Sequence, residues 1–243
     1  MWFIMCNILF RYRSWERNRA YAEDIIKNHR LYLSFLYEQE DRNEADTFVT
    51  AGTTDYRDIT ISVDGQDTTV TQDWYDSDNA MRSLERAERE NRRQEVLICS
   101  FTMRHDNEYM WARYGYDETG ICFEFHNLDS CINVGQIVTV QYCDATERCI
   151  RYDRYEELSK LHPQNITQNL FALKGREYAE EEEVRYIVQR NAIQMENDGH
   201  YYLQLPADTI TNIYAGRCMS EDAYNELTQL VQRYLPHITV TRR

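Results

Sequence analysis

Short strand-like runs, several of them alternating apolar and polar residues, recur from Met1–Tyr12 to Ile238–Thr241, and they limit the fold more than any other feature. Successive strand side chains point to opposite faces, so only every second position needs to be apolar. The segments between the runs are of two kinds. Some carry apolar residues at helical spacing: Tyr21, Ile25 and Ile26 within Trp15–Asn28, and Met81, Leu84 and Ala87 within Asp78–Gln94. Others carry turn residues, as in Asp64-Gly65-Gln66-Asp67 between Ile59–Val63 and Thr68–Thr71, which reads as a hairpin. Further strands are predicted at Leu31–Phe35, Glu95–Thr102, Gly120–His126, Gln136–Cys143, Val184–Arg190, Tyr201–Leu205 and Ile210–Tyr214. Helices are predicted at Asp106–Tyr114, Asp153–Leu161 and Pro163–Leu173, and from Ser220, whose cap is followed by Glu221 and Asp222. Strands and helices alternate irregularly and no Gly-rich phosphate loop follows a strand, which argues against a doubly wound nucleotide fold. The expected architecture is α+β: one domain over 1–243, a mainly antiparallel central sheet with flanking helices, and a hairpin-plus-helix insertion at about 53–94.

A chain of 243 residues, 42% hydrophobic with 19 tyrosines, has ample material for a core without disulfides or metals. The formal charge of −14 opposes general nucleic-acid binding, which draws its affinity from Lys and Arg displacing counterions. Acids interleaved with Arg and Tyr point to solubility rather than to mimicry of a nucleic acid. Seven cysteines form an odd set without CxxC spacing, and Cys99 and Cys122 sit inside strand-like runs as small hydrophobes, a usage that fits a reducing compartment. The apolar start, Met1–Phe10, is too short for a membrane span, so a cytoplasmic protein without membrane association is expected. The six histidines show no HxH or HExxH pattern, and no metal is expected.

Four stretches carry a resemblance to a known family: Phe10-Arg11-Tyr12-Arg13-Ser14; Ile98–Thr102 with Asp106–Trp111, Tyr114 and Gly120–Phe125; Phe171–Lys174 through Tyr178 to Glu181–Arg185; and Ile213–Gly216. In order and spacing they resemble the prokaryotic and viral family known as domain of unknown function 2971. Two departures stand out. Arg42–Asp46 lacks the proline usual after the second strand, and Tyr178 stands where the family usually has Trp. The expected setting is bacterial or phage defence or counter-defence.

A more distant likeness is to ADP-ribosyltransferases, which place an Arg or His on the first strand, a Ser-x-Ser/Thr element on a middle strand and Glu-x-Glu on a later one. Arg13, Ser100-Phe101-Thr102 and Glu181-Glu182-Glu183 occur here in that order. The likeness implies NAD as a substrate, with Glu183 and Glu181 as the catalytic carboxylates. Cleavage of the nicotinamide–ribose bond builds positive charge on the ribose, which a carboxylate stabilises. If the segment is extended, Glu181 and Glu183 share a face. Arg13 would hold the pyrophosphate, Ser100 and Thr102 would line the ribose, and Tyr109 or Tyr114 would stack on nicotinamide. A host protein is one expected acceptor.

Plainer readings stand beside these. The glutamate run Glu180–Glu183 also reads as a solvated strand edge, with Arg185 as a weak surface partner of Glu183. Trp111 and Tyr114, at i and i+3, read as core anchors of a short helix, and Gly216 as a turn residue. The non-enzymatic alternative is a module that binds a small nucleotide or a host protein without turnover.

Overall fold

The computed structural model of the chain describes residues 8–17, 19–39, 48–50, 59–63, 66–70, 91, 93–144, 149–151 and 171–243. The strands are β1 (Ile8–Arg13), β2 (Arg30–Phe35), β3 (Phe48–Thr50), β4 (Ile59–Val63), β5 (Gln66–Val70), β6 (Val96–Thr102), β7 (Ile121–His126), β8 (Gln136–Thr139), β9 (Gln141–Cys143), β10 (Cys149–Arg151), β11 (Leu173–Gly175), β12 (Glu183–Gln189), β13 (Tyr201–Gln204), β14 (Ile210–Ala215) and β15 (Val240–Arg242). Three α-helices lie wholly within the described residues, α1 (Arg19–Asn28), α2 (Glu108–Arg113) and α3 (Glu221–Tyr234). The fold is α+β.

A mixed, mostly antiparallel sheet organises these elements in the order β13-β2-β6-β1-β7-β14-β15, with β12 on β6 and β8 on β12. Its one parallel pairing among the described strands is β14 with β15. β6 is the pivot. One edge is occupied along its whole length by β12, from Glu183↔Thr102 to Gln189↔Val96. The other edge is shared: β1 pairs at Phe10↔Thr102, and β2 pairs at Ser34↔Ile98 and Phe35↔Leu97. Between those registers, Cys99 to Phe101 have no strand partner on that edge, and the sheet splits.

Alternation along the strands sorts the two faces. Leu9, Leu97, Cys99, Phe101, Phe123, Phe125, Val184 and Tyr186 point one way and form the main core with Ala22, Ile25 and Ile26 of α1 and Leu227 and Val231 of α3. Both helices present apolar residues at three- and four-residue spacing, the pattern that buries one stripe of a helix. Arg19, Glu23 and Lys27 pair at i,i+4 along the solvent side of α1. The opposite sheet face carries two smaller clusters: Val96, Ile98, Val138, Val140 and Ile187 with Leu36 and Ala172, and Phe10, Tyr12 and Cys122 with Met110 and Trp111 of α2.

Three local expectations are corrected. Gln136–Cys143 is two strands, because Val140 N makes a last bond to β12 at the Glu183 carbonyl, and from Gln141, whose N donates to the Ala172 carbonyl, the chain pairs with β11 instead. The first hairpin pairs Val63 with Gln66, so its loop spans two residues rather than the four of Asp64–Asp67. Glu180–Glu183 is not extended. Arg176–Glu181 is a 3-10 turn, Glu182 is left-handed at φ 46° and ψ 47°, and β12 begins only at Glu183. The predicted helices at Asp153–Leu161 and Pro163–Leu173, and most of Asp78–Gln94, lie outside the described residues. So does most of the run Met1–Tyr12 ahead of β1. No helix among the described residues is long and apolar enough to cross a membrane.

Candidate functional site

A cleft of about 490 Å³ opens at the split in the sheet. Arg11 and Arg13 of β1, Tyr32 and Ser34 of β2 and Ser100 of β6 form its strand walls, and Tyr21 of α1 stands at its side. Lys174, Glu181, Glu183 and Tyr114 complete it. Arg11 fills the backbone gap left by the split: its Nη1 donates to the Ser100 carbonyl and, at 2.9 Å, to Cys99 Sγ.

The polar centre lies between the two smaller apolar clusters, on the face that carries Ser100, Thr102, Glu183 and Arg185. The registers Arg185↔Ser100 and Glu183↔Thr102 put those side chains on one side of the β6–β12 pair. Arg185 is fully buried and grips Glu183 twice, Nε to Oε1 at 2.7 Å and Nη2 to Oε2 at 3.0 Å, while its Nη1 donates to the Phe171 carbonyl at 2.7 Å. Lys174 Nζ donates to Glu183 Oε2 at 3.1 Å and to Glu181 Oε2 at 2.6 Å. Tyr114 donates its hydroxyl to Glu181 Oε1 at 2.8 Å, and the Ser100 hydroxyl donates to Glu183. Even the backbone joins in, Glu183 N donating to Tyr142 Oη at 2.8 Å.

Burial by itself would push the Glu183 carboxyl up, but the charge and hydrogen bonds of Arg185, followed by Lys174 and Ser100, hold it down at about 2. Burial pushes the Tyr114 hydroxyl far above its ordinary range, and the neighbouring Glu181 adds to the rise, so Tyr114 is a firm donor. The two carboxylates differ in what they have left to offer. A carboxylate accepts at about four lone-pair sites. Glu183 fills its sites with two bonds from Arg185 and one each from Lys174 and Ser100. Glu181 receives only Tyr114 and Lys174 among the described residues, which leaves acceptor capacity facing the cleft.

Five of the seven residues singled out from sequence, Arg13, Ser100, Tyr114, Glu181 and Glu183, therefore line one cleft. Thr102 and Tyr109 do not. Thr102 is fully buried between Phe10 and Glu183 in register, and its hydroxyl has no partner among the described residues. Tyr109 points to the apolar cluster around Trp111, where its oxygen accepts from Arg113 Nη1 at 3.3 Å, because residues i and i+5 of the short helix face different sides. The solvated-edge reading of the glutamates also fails. β12 is an interior strand, Glu181 and Glu183 are each 3% exposed, and Arg185 is no surface partner. The glutamates meet through the left-handed kink at Glu182 and a shared lysine rather than through a common strand face. Trp111 is fully buried, edge-on to Tyr12 and donating Nε1 to the His105 carbonyl at 2.7 Å, which is the core role expected of it. Gly216 does more than turn: a Cβ there would collide with the Glu118 carbonyl.

Sequence reasoning missed Lys174, Arg11, Tyr21 and Tyr32 as cleft residues. Lys174 follows three apolar residues, Phe171-Ala172-Leu173, and a lone lysine ending such a run is the one available hint of a buried cation. Among the described residues, no group of three or more His, Cys, Asp or Glu side chains is placed to hold a metal ion.

Residues 110–186 match the family model described as "Protein of unknown function (DUF2971)". The matched stretch contains the whole ionic centre apart from Ser100, from Tyr114 through Lys174, Glu181 and Glu183 to Arg185. Arg11, Arg13, Tyr21, Tyr32 and Ser100, which line the same cleft, lie before it. No curated protein and no solved structure matches the chain. None of these comparisons supports the likeness to ADP-ribosyltransferases.

Proposed function

We propose that the cleft binds a nucleotide and that the protein is an NAD-dependent enzyme, cleaving the nicotinamide–ribose bond in the manner of an ADP-ribosyltransferase. The observation that carries the reading is Glu181, a buried carboxylate with acceptor capacity to spare, lining the same cleft as Arg13 and Ser100. In the reaction the C1′–N bond breaks, nicotinamide leaves with the electron pair, and a nucleophile from water or a protein acceptor bonds to C1′ and gives up its proton. Positive charge develops on the ribose meanwhile, and an aimed carboxylate in a water-poor site stabilises it far more than one in bulk water. Glu181 would accept from a ribose hydroxyl. Glu183, saturated by Arg185, Lys174 and Ser100, would act through Lys174 by fixing the position of Glu181.

One feature favours binding without turnover. The two glutamates are matched by Lys174 and Arg185, so the centre carries little net negative charge to offer a cation. Incubation of the purified protein with NAD, with and without cell lysate as a source of acceptors, separates the readings. Nicotinamide release that falls about 10²–10³-fold in Glu181→Gln supports catalysis. Nucleotide binding with no NAD consumption under any of these conditions leaves the binding module in its place.

A further inference from the structure

The cationic side of the cleft has groups that the ionic centre does not use. Arg11 is 8% exposed, yet its Nε is buried without a hydrogen-bond partner among the described residues, and the Nε of Arg13 is in the same condition. Buried donors left unmade cost free energy, and both of these arginines, at i and i+2 on β1, line the cleft. Arg11 and Arg13 alternate on β1 and project to the same side. Guanidinium groups in that arrangement offer forked donors suited to phosphate oxygens.

The same cleft has an aromatic lining. Tyr21 is 41% exposed, and its ring centroid lies 5.2 Å from that of Tyr32. Both rings line the cavity. Tyr32 is held in place by its hydroxyl, which donates to Glu38 at 3.3 Å, and by edge contacts with Tyr202 and His200. An exposed Tyr21 ring packed on a half-buried Tyr32 ring, in a cleft that also holds two arginines, suits a planar base.

We infer that the cleft takes a nucleoside diphosphate, its phosphates on Arg11 and Arg13 and its base against Tyr21 and Tyr32. This assignment deepens the nucleotide reading of the same site, and it moves the base-stacking role from Tyr109 to α1 and β2. The ribose between base and phosphate then falls along β6, near Ser100.

Isothermal titration of the full chain with ADP, adenosine and inorganic pyrophosphate tests it. ADP should bind, adenosine more weakly, and Arg13→Gln should weaken ADP and pyrophosphate about 10- to 100-fold while leaving adenosine unchanged. Tyr21→Ala, at an exposed site where folding is safe, should weaken ADP and adenosine and leave pyrophosphate unchanged. Arg11→Gln should repeat the Arg13→Gln pattern, with its melting temperature measured alongside. Failure of ADP to bind at millimolar concentration, or ADP binding indifferent to Arg13→Gln and Tyr21→Ala, overturns the assignment, and pyrophosphate binding as tight as ADP removes its nucleoside half. These titrations need no turnover, so ADP binding with the stated pattern and no NAD consumption sinks the catalytic reading alone, whereas NAD consumption with KM unchanged in both variants sinks this one alone.

Discussion

Glu183→Gln tests whether the ionic centre holds the split sheet together. The substitution keeps the side chain's size but replaces one carboxylate oxygen with an amide nitrogen. That nitrogen must face the Nε or Nη2 of Arg185, now within 2.7–3.0 Å of a carboxylate, so donors would oppose donors. Arg185 is fully buried and retains the Phe171 carbonyl, while Lys174 keeps Glu181. Removing one member of such a buried pair leaves an uncompensated charge, at a cost of about 3–5 kcal/mol. With a urea m-value of about 3 kcal/mol/M, toward the upper end for single domains, the unfolding midpoint should fall by about 1–2 M with m unchanged. Glu181→Gln should cost less, about 1–2 kcal/mol, since Lys174 keeps Glu183 and Tyr114 can donate to the amide oxygen. The pair Glu183→Leu with Arg185→Met removes both charges and should recover most of the loss. A Glu183→Gln variant with the parental midpoint, or a double variant no better than the single, would refute the argument that this pair is a dry, mutually dependent unit.

Stability should also fall with acidity in a defined window. The Glu183 carboxyl lies at about 2 when folded against an ordinary 4.5, so its contribution, about 3 kcal/mol, is complete above pH 4.5 and lost as the pH falls toward 2; the Glu183→Leu/Arg185→Met variant should show a flatter urea midpoint across that range. Trp111→Ala should cost about 3–5 kcal/mol by opening a cavity beneath Tyr12, and a variant that melts like the parent while losing ligand would reassign Trp111 to the site. Asn107→Ala removes the cap bond to Met110 N at 3.2 Å and the Nδ2 bond to the Glu180 carbonyl at 2.6 Å, and should cost about 1–2 kcal/mol in thermal unfolding.

Strand content was legible because the alternation in β1, β6, β7, β12 and β14 is a local property that survives tertiary packing. The Ser220 cap and the acidic first turn of α3 were legible for the same reason. Strand order was not. Nothing in the sequence says that β6 shares one edge between β1 and β2, because that choice depends on pairings more than 60 residues apart. The glutamate run shows the same limit on a smaller scale. A row of four acids reads as solvated when neighbours along the chain are the only evidence, and Glu180 and Glu182 do remain outside the ionic centre. Glu181 and Glu183 are buried because Lys174 and Arg185 come to meet them, and only the apolar run ahead of Lys174 hints at this in the sequence.

The same pairing bears on which carboxylate a ligand can use. Taking four charged side chains out of water costs several kcal/mol each before any attraction is counted, so the arrangement stabilises the fold only if nearly every donor and acceptor is matched. Arg185 and Glu183 meet that condition by themselves, with Ser100 and Phe171 supplying the remainder. Lys174 and Glu181 do not, because Glu181 keeps unused acceptor sites on the side that faces the cavity. Arg11 and Arg13, which line the same cleft, have the complementary deficit of unused donors. A ligand that brings hydroxyls to Glu181 and anionic oxygens to the arginines completes both at once, and ribose joined to phosphate is a chemical unit that carries both groups at short separation.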